Sequence, residues 1–230
     1  MGERVALIKL VGVWFRYPKS SWVFKDIDVE FRVGETTVVV GPNGSGKTTL
    51  LKIAGLLYKP TRGTVLVNGV NPWSLRSSKL VDLRRKIVYV HEKPILLRGT
   101  VYDNIAYGLR IRGRSLDEIN KAVERIASEL VLTDILGRDA RRLSSGQAQL
   151  VALARALVLD PEIVLLDEPF AHLDRDKKKL FIKHLDKIAS PRRGIVVATH
   201  DTYIASRIAD RVVLVENKKV VETSTVELLE

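Results

Sequence analysis

The 230-residue chain contains no cysteine, which excludes a disulfide framework, a metal–thiolate cluster and a thiol nucleophile. It has no uninterrupted apolar run of about 18 residues, so no segment reads as a membrane-crossing helix. The start, Met1-Gly2-Glu3-Arg4, lacks the long apolar stretch of a secretory signal, and the expectation is a protein that stays in the cytoplasm. Repeats and low-complexity tracts are missing too. Glutamine occurs at 147 and 149 alone; with abundant Lys, Arg, Ile and Val this composition leans towards a thermophilic source. Acidic residues are in the minority, leaving a net charge of +11. That excess admits nucleic-acid binding, attraction to an anionic membrane face, or a surface rich in Lys and Arg. The basic residues form only short clusters, such as Arg84-Arg85-Lys86, Arg141-Arg142 and Lys177-Lys178-Lys179. No basic stripe is interleaved with aromatics, so a solvated surface is favoured and nucleic acid is not the expected partner.

What is present is more specific. The β-branched, apolar run Thr36-Thr37-Val38-Val39-Val40 reads as a buried parallel strand and leads into Gly41-Pro42-Asn43-Gly44-Ser45-Gly46-Lys47-Thr48-Thr49. This is a phosphate-binding loop of the form G-x-x-x-x-G-K-[ST]. Its glycines let backbone N–H groups turn towards phosphate oxygens. Lys47 is placed for the β- and γ-phosphates of a nucleotide, and the Thr48 hydroxyl for Mg²⁺. The helical run from Thr49 offers its N-terminal dipole to the same charge. A glycine-rich turn with a chance lysine is the plain alternative, made improbable by the strand before and the helix after.

Further on, the apolar strand Ile163-Val164-Leu165-Leu166 delivers Asp167 and Glu168. Asp167 at the end of a sheet can hold Mg²⁺ through water, leaving Glu168 to polarise an attacking water as general base. Between the two lies Leu143-Ser144-Ser145-Gly146-Gln147. Ser144-x-x-Gln147 is also a capping box ahead of the helical run from Leu150 to Leu157, so a plain helix start accounts for these five residues in isolation.

Together, in this order, the motifs identify the chain as similar to the ATP-binding cassette family of transporter ATPases. The five residues resemble that family's Leu-Ser-Gly-Gly-Gln signature, with Ser145 where the first glycine usually stands, adding a Cβ close to that surface. The resemblance implies that Ser144, Ser145, Gly146 and Gln147 face the γ-phosphate of an ATP held by a second copy of the chain. Phe170-Ala171-His172-Leu173-Asp174 fits the D-loop, with Asp174 at the dimer interface. Ala198-Thr199-His200-Asp201, after the apolar Ile195-Val196-Val197, fits the switch motif, with His200 on the γ-phosphate. Tyr17 sits where the family stacks an aromatic on adenine; Trp14, Phe15 and Tyr17 also fit ordinary strand residues, and Phe15 is the substitute. One motif departs: Val90-His91-Glu92-Lys93-Pro94 stands where the family reads Val-Phe-Gln-x-Pro, so Glu92 occupies the place of a glutamine that contacts Mg²⁺ and the water.

The expected fold is α/β: a P-loop NTPase core with a parallel sheet, an N-terminal antiparallel β-layer and an inserted helical subdomain. A single domain over 1–230 divides into a core of about 1–95 and 159–230 and a helical part of about 96–158. Strands are expected at Val5–Leu10, Val29–Val33 and Gly63–Gly69, and a second capping box at Ser115-x-x-Glu118 starts a helix. After 159 the pattern alternates over 163–166, 175–189, 195–199, 202–208 and 211–215. Residues after 215 read as a short tail, with no room for the regulatory domain of some importer ATPases.

The resemblance implies an ATPase at the cytoplasmic face of the cell membrane. Two copies would dimerise head to tail around two ATPs and drive transmembrane permease subunits, fed by an extracytoplasmic solute-binding protein. An importer is favoured because separate single-cassette chains are typical of importers. The stretch from Arg98 to Leu109 resembles that of phosphate- and tungstate-type oxyanion importers. The alternative is a non-transport relative acting in DNA repair or translation. The first kind inserts long coiled coils between Lys47 and Asp167, and the second carries two cassettes in one chain; neither feature is present.

Glu92 generates the first prediction. A carboxylate binds Mg²⁺ at least as well as an amide oxygen. It also brings like charge near the γ-phosphate, worth roughly 3 kcal/mol at ~5 Å and an effective dielectric of ~20. Glu92→Gln should stay active, need more Mg²⁺ for half-maximal ATPase, and bind ATP more tightly without Mg²⁺. Superimposable Mg²⁺ titrations of the two proteins would put Glu92 outside the site.

Overall fold

The computed structural model describes residues 5–171 and 173–223; His172 of the D-loop motif and the first four residues lie outside them. Along the chain come β1 (Leu7–Arg16), β2 (Trp22–Arg32), β3 (Thr36–Val40), α1 (Lys47–Ala54), β4 (Arg62–Val67), α2 (Ser77–Arg84) and β5 (Ile87–Val90). Helices α3 (Val101–Ile111), α4 (Leu116–Glu129) and α5 (Ser145–Leu157) follow. The last stretch holds β6 (Ile163–Asp167), α6 (Arg175–Ile188), β7 (Gly194–Thr199), α7 (Thr202–Ile208), β8 (Arg211–Glu216) and β9 (Lys219–Thr223). The chain forms two compact units: one of residues up to Tyr89, Glu162–Glu168 and Ala189 onward, the other of Val90–Pro161 and Pro169–Ile188.

The first unit carries two sheets. One is antiparallel, in the order β2-β1-β4. Ile8, Leu10, Val13 and Phe15 of β1 point inward while Lys9 and Arg16 face solvent; the alternation slips at Gly12, where the register with both neighbours shifts. The other sheet runs β5-β6-β7-β3-β8-β9. Strands β3, β6 and β7 are buried at every position, as continuous apolar runs in a parallel sheet should be. Register decides the position of the site. Val40 of β3 lies beside Thr199 of β7, and Asp167 of β6 beside Ala198. Leu50, Leu51, Ile53 and Ala54 of α1 are fully buried and join the core of this unit.

The architecture is the α/β fold expected, with the parallel sheet and the N-terminal antiparallel layer both present. Two readings are corrected. The segment after 215 is not a tail: β9 pairs antiparallel with β8, Val215 opposite Val220. Asn217 and Lys218 make the two-residue turn, at φ 49° and 65°, the left-handed pair of a type I′ hairpin. Strand β2 begins at Trp22, well before Val29, because Phe24 and Ile27 are buried although Lys25 and Asp26 between them are exposed.

In the second unit three helices open on reciprocal capping boxes: Thr100 with Asp103, Ser115 with Glu118, and Ser144 with Gln147. Val101 and Ile105 of α3, Val123 and Ile126 of α4, and Val151 and Leu153 of α5 are buried. Asn104, fully buried, meets its hydrogen-bonding needs: its Oδ1 accepts from Leu97 N, and its Nδ2 donates to Leu97 O and Thr100 O. Helix α6 buries Phe181, Leu185 and Ile188, with Phe181 edge-on to Phe170 at 5.4 Å.

His184 of α6 is also buried, at 1 % exposure, and neither ring nitrogen makes a well-formed hydrogen bond. Burial, then the charge of Lys187, hold its pKa below the usual histidine value against an opposing contribution from the Glu129 backbone. The folded pKa is therefore below the unfolded one. As pH falls through about 6.5 the unfolded chain takes up this proton first, and stability is lost until the folded pKa is reached. Wild-type Tm should fall more between about pH 7.5 and pH 5.5 than that of His184→Leu, read by thermal melts; equal falls would show that His184 titrates normally.

Candidate nucleotide site

The phosphate loop leaves β3 and enters α1 with backbone geometry that only glycine allows at two points. A Cβ on Gly41 would lie 2.2 Å from Val215 O. Gly46, the residue before α1, has φ 113°, and its Cβ would lie 2.8 Å from the Phe24 ring. Because no side chain caps α1, its first-turn N–H groups face the loop, where an anion would satisfy them. Inside the loop the Ser45 hydroxyl is buried without a hydrogen bond. Pro42, Asn43 and Gly44 are exposed. Lys47 is buried, and its Nζ donates to Gly41 O at 2.8 Å and Pro42 O at 3.2 Å.

Two carboxylates meet this loop from the next strand but one. Asp167, at 2 % exposure, accepts from the Thr48 hydroxyl at Oδ1, 3.0 Å away. Glu168 follows with φ 44°, a left-handed conformation that costs a residue with a side chain. Its Oε1 lies 3.2 Å from Lys47 Nζ and its Oε2 3.0 Å from His200 Nδ1. The Lys47 contact is an ion pair without hydrogen-bond geometry, so Glu168 Oε1 is a buried acceptor still to be satisfied. His200, beyond β7, is about half exposed.

The group fits magnesium and a polyphosphate. Thr48 and Asp167 supply hard oxygen donors side by side. Among the described residues no three His, Cys, Asp or Glu side chains gather as a metal cage. Mg²⁺ suits such a site, since it keeps waters and completes its shell with substrate phosphates.

The first unit thus brings together Gly41 to Thr49, Asp167, Glu168 and His200. Tyr17 joins them through its hydroxyl, 2.9 Å from Thr49 Oγ1. Phe15, the substitute for adenine, is buried and stacked on Tyr58 with ring centroids 5.6 Å apart. Sequence reasoning missed Tyr89 of β5, whose hydroxyl donates to Asp167 Oδ2 at 2.7 Å. Burial, then the Asp167 carboxylate, push its pKa far above the usual tyrosine value, so the phenol keeps its proton. Nothing in Ile87-Val88-Tyr89-Val90 signals this, because the partner is far along the chain.

The second unit holds the remaining motif residues. Ser144 and Ser145 are exposed at the start of α5, with Gly146 buried and Gln147 half-buried. Ser144 Oγ accepts from Gln147 N, and Gln147 Oε1 accepts from Ser144 N. Ser144, Gly146 and Gln147 border a cleft of about 230 Å³ whose other wall includes Leu173 and Lys177. Asp174, exposed, pairs with Lys177, and Glu92 is half-buried.

A sequence model of the family described as ABC transporter matches residues 24–171. The chain belongs to the ABC transporter family. Its place there is that of an ATP-hydrolysing subunit. A phosphate import ATP-binding protein of Natronomonas pharaonis is 36% identical over 214 residues, which are 89% of this chain and 75% of that protein. The structure of cbiO1 from Clostridium perfringens, part of an ABC transporter complex, matches with a TM-score of 0.88 at 26% identity, covering 98% of this chain and 91% of its own. The dimeric structure of a bacterial ABC transporter cassette matches at 0.85 with 30% identity, covering 95% and 98%.

The ABC reading gives Tyr17 a test. Tyr17→Ala should weaken ATP by roughly 1–3 kcal/mol if adenine stacks on its ring, measured by titration of the folded protein. Tyr17→Phe, which removes only the link to Thr49, should bind ATP nearly as wild type does. Unchanged affinity in Tyr17→Ala would rule this ring out as the adenine platform.

Proposed function

We propose that this ABC ATPase drives an importer, working as a head-to-tail dimer with ATP held between the phosphate loop of one copy and Ser144–Gln147 of the other. The observation that carries the chemistry is the convergence of Lys47, Thr48, Asp167, Glu168 and His200 in one unit. Lys47 meets phosphate charge, and Thr48 with Asp167 would hold Mg²⁺. Bound Mg²⁺ supplies charge neutralisation on the phosphates. Glu168 takes the proton of the attacking water, and His200 keeps its carboxylate turned to the site. The exposure of Ser144 and Ser145 at the start of an α-helix supports their meeting phosphate from a second copy; Asp174 would lie at the same interface. The dimeric cassette among the structural neighbours supports this assembly.

The importer reading is supported by the relative named for phosphate import and by the Arg98–Leu109 stretch, which together favour an oxyanion cargo. Permease subunits and an extracytoplasmic solute-binding protein would complete the transporter, with this chain on the cytoplasmic face of the membrane. No helix among the described residues is long and apolar enough to cross a membrane. The relatives described above are transporter proteins by name, which gives DNA repair or translation no support.

Glu168→Gln should bind ATP normally and lose turnover by ~10²–10⁴, the usual worth of a general base. It should also accumulate as an ATP-bound dimer on size-exclusion chromatography. Wild-type turnover in this variant would remove Glu168 as the base, and a monomer at saturating ATP would speak against the dimer.

A further inference from the structure

Asp167 is a buried carboxylate with both oxygens already engaged by hydroxyl donors from distant parts of the chain. Thr48 donates to Oδ1 and Tyr89 to Oδ2. The two donors differ in kind. The Thr48 oxygen is itself a candidate metal ligand, whereas the Tyr89 hydroxyl sits on a ring held in place. That ring packs against the core of the first unit, and Lys52 Nζ stands 5.9 Å from its centroid. A carboxylate fixed at Oδ2 can present only Oδ1 on the Thr48 side. We propose that Tyr89 is a positioning residue for magnesium: it locks the rotation of the Asp167 carboxylate so that one oxygen, Oδ1, is offered beside Thr48.

The consequence concerns how much Mg²⁺ strengthens nucleotide binding, and it rests on the magnesium–ATP reading of this site. Mg²⁺ demands near-ideal octahedral geometry, so a carboxylate free to turn must be ordered again each time the ion binds. A hydrogen bond to a charged group is among the stronger ones. Without Tyr89 the buried Oδ2 would seek another donor and draw Oδ1 away from Thr48.

The experiment measures affinity for an imido-bridged, non-hydrolysable ATP analogue with and without Mg²⁺, by fluorescence titration. In Tyr89→Phe the Mg²⁺-free affinity should stay within about twofold of wild type, while the gain on adding Mg²⁺ should shrink by about tenfold. Tyr58→Phe, which removes a hydroxyl from a neighbouring ring of the same cluster, should keep the full gain. Para-aminophenylalanine at position 89 puts back a donor and should restore the gain, whereas para-methylphenylalanine should not. This second pair decides the matter if Tyr89→Phe melts below the assay temperature. An undiminished gain in the variants lacking a donor, or an equal loss in Tyr58→Phe, overturns the role of Tyr89. A wild-type protein whose affinity ignores Mg²⁺ would overturn the magnesium reading itself.

Discussion

The register of three parallel strands is the constraint on which the nucleotide site depends. Val40, Thr199 and Asp167 end β3, β7 and β6, and the ladder sets Val40 beside Thr199 and Asp167 beside Ala198. The residues that follow each strand therefore emerge at the same edge of the sheet: the phosphate loop, Glu168 and His200. A slip of one residue in β6 would turn its side chains to the opposite face and remove Asp167 from Thr48. Close packing of these strands on both faces makes such a slip costly, because side chains of different shape would have to exchange places. Stability and site geometry are here the same property, and the apolar side chains that look least functional are what aim the carboxylates.

Within that frame the two adjacent carboxylates are treated differently. Asp167 is met by two hydroxyls, from Thr48 and Tyr89, neutral donors that fix an orientation without cancelling the charge. Glu168 is met by the ammonium of Lys47 and the imidazole of His200. A buried anion is expensive unless paired or hydrogen-bonded, and each carboxylate meets that requirement by its own means. The first arrangement suits a ligand of a cation. The second suits the base proposed above: its partners touch it from two sides, and its Oε1 still lacks a hydrogen bond.

Much of this was legible in the sequence because it is local. The phosphate loop, the apolar strand before Asp167 and the capping boxes at Ser115 and Ser144 each declare themselves within a few residues, and the helices start where those boxes put them. What sequence reading missed is either masked or remote. The start of β2 was hidden by Lys25 and Asp26, polar residues in the middle of a strand. Strand β9 was hidden behind Asn217 and Lys218, since a lysine at a left-handed turn position is not a strong hairpin signal. The hydroxyl of Tyr89 reaches Asp167 only because β5 and β6 are neighbours in the sheet. Such a pairing exists only once strand order is known. The burial of His184 likewise belongs to the packing of α6, not to its composition.

The backbone of Glu168 sets a limit on how this protein can change. At φ 44° glycine is the residue that would rest there at no steric cost, yet glycine would take away the carboxylate. The substitution that relaxes the chain and the one that ends the proposed chemistry are thus a single event. A laboratory search that rewards thermal tolerance alone would find relief of backbone strain there set against loss of the buried Lys47 ion pair, and any glycine it kept would be inert. One that also demands turnover would have to find its gains elsewhere, at sites such as His184 where comfort and chemistry are not in competition.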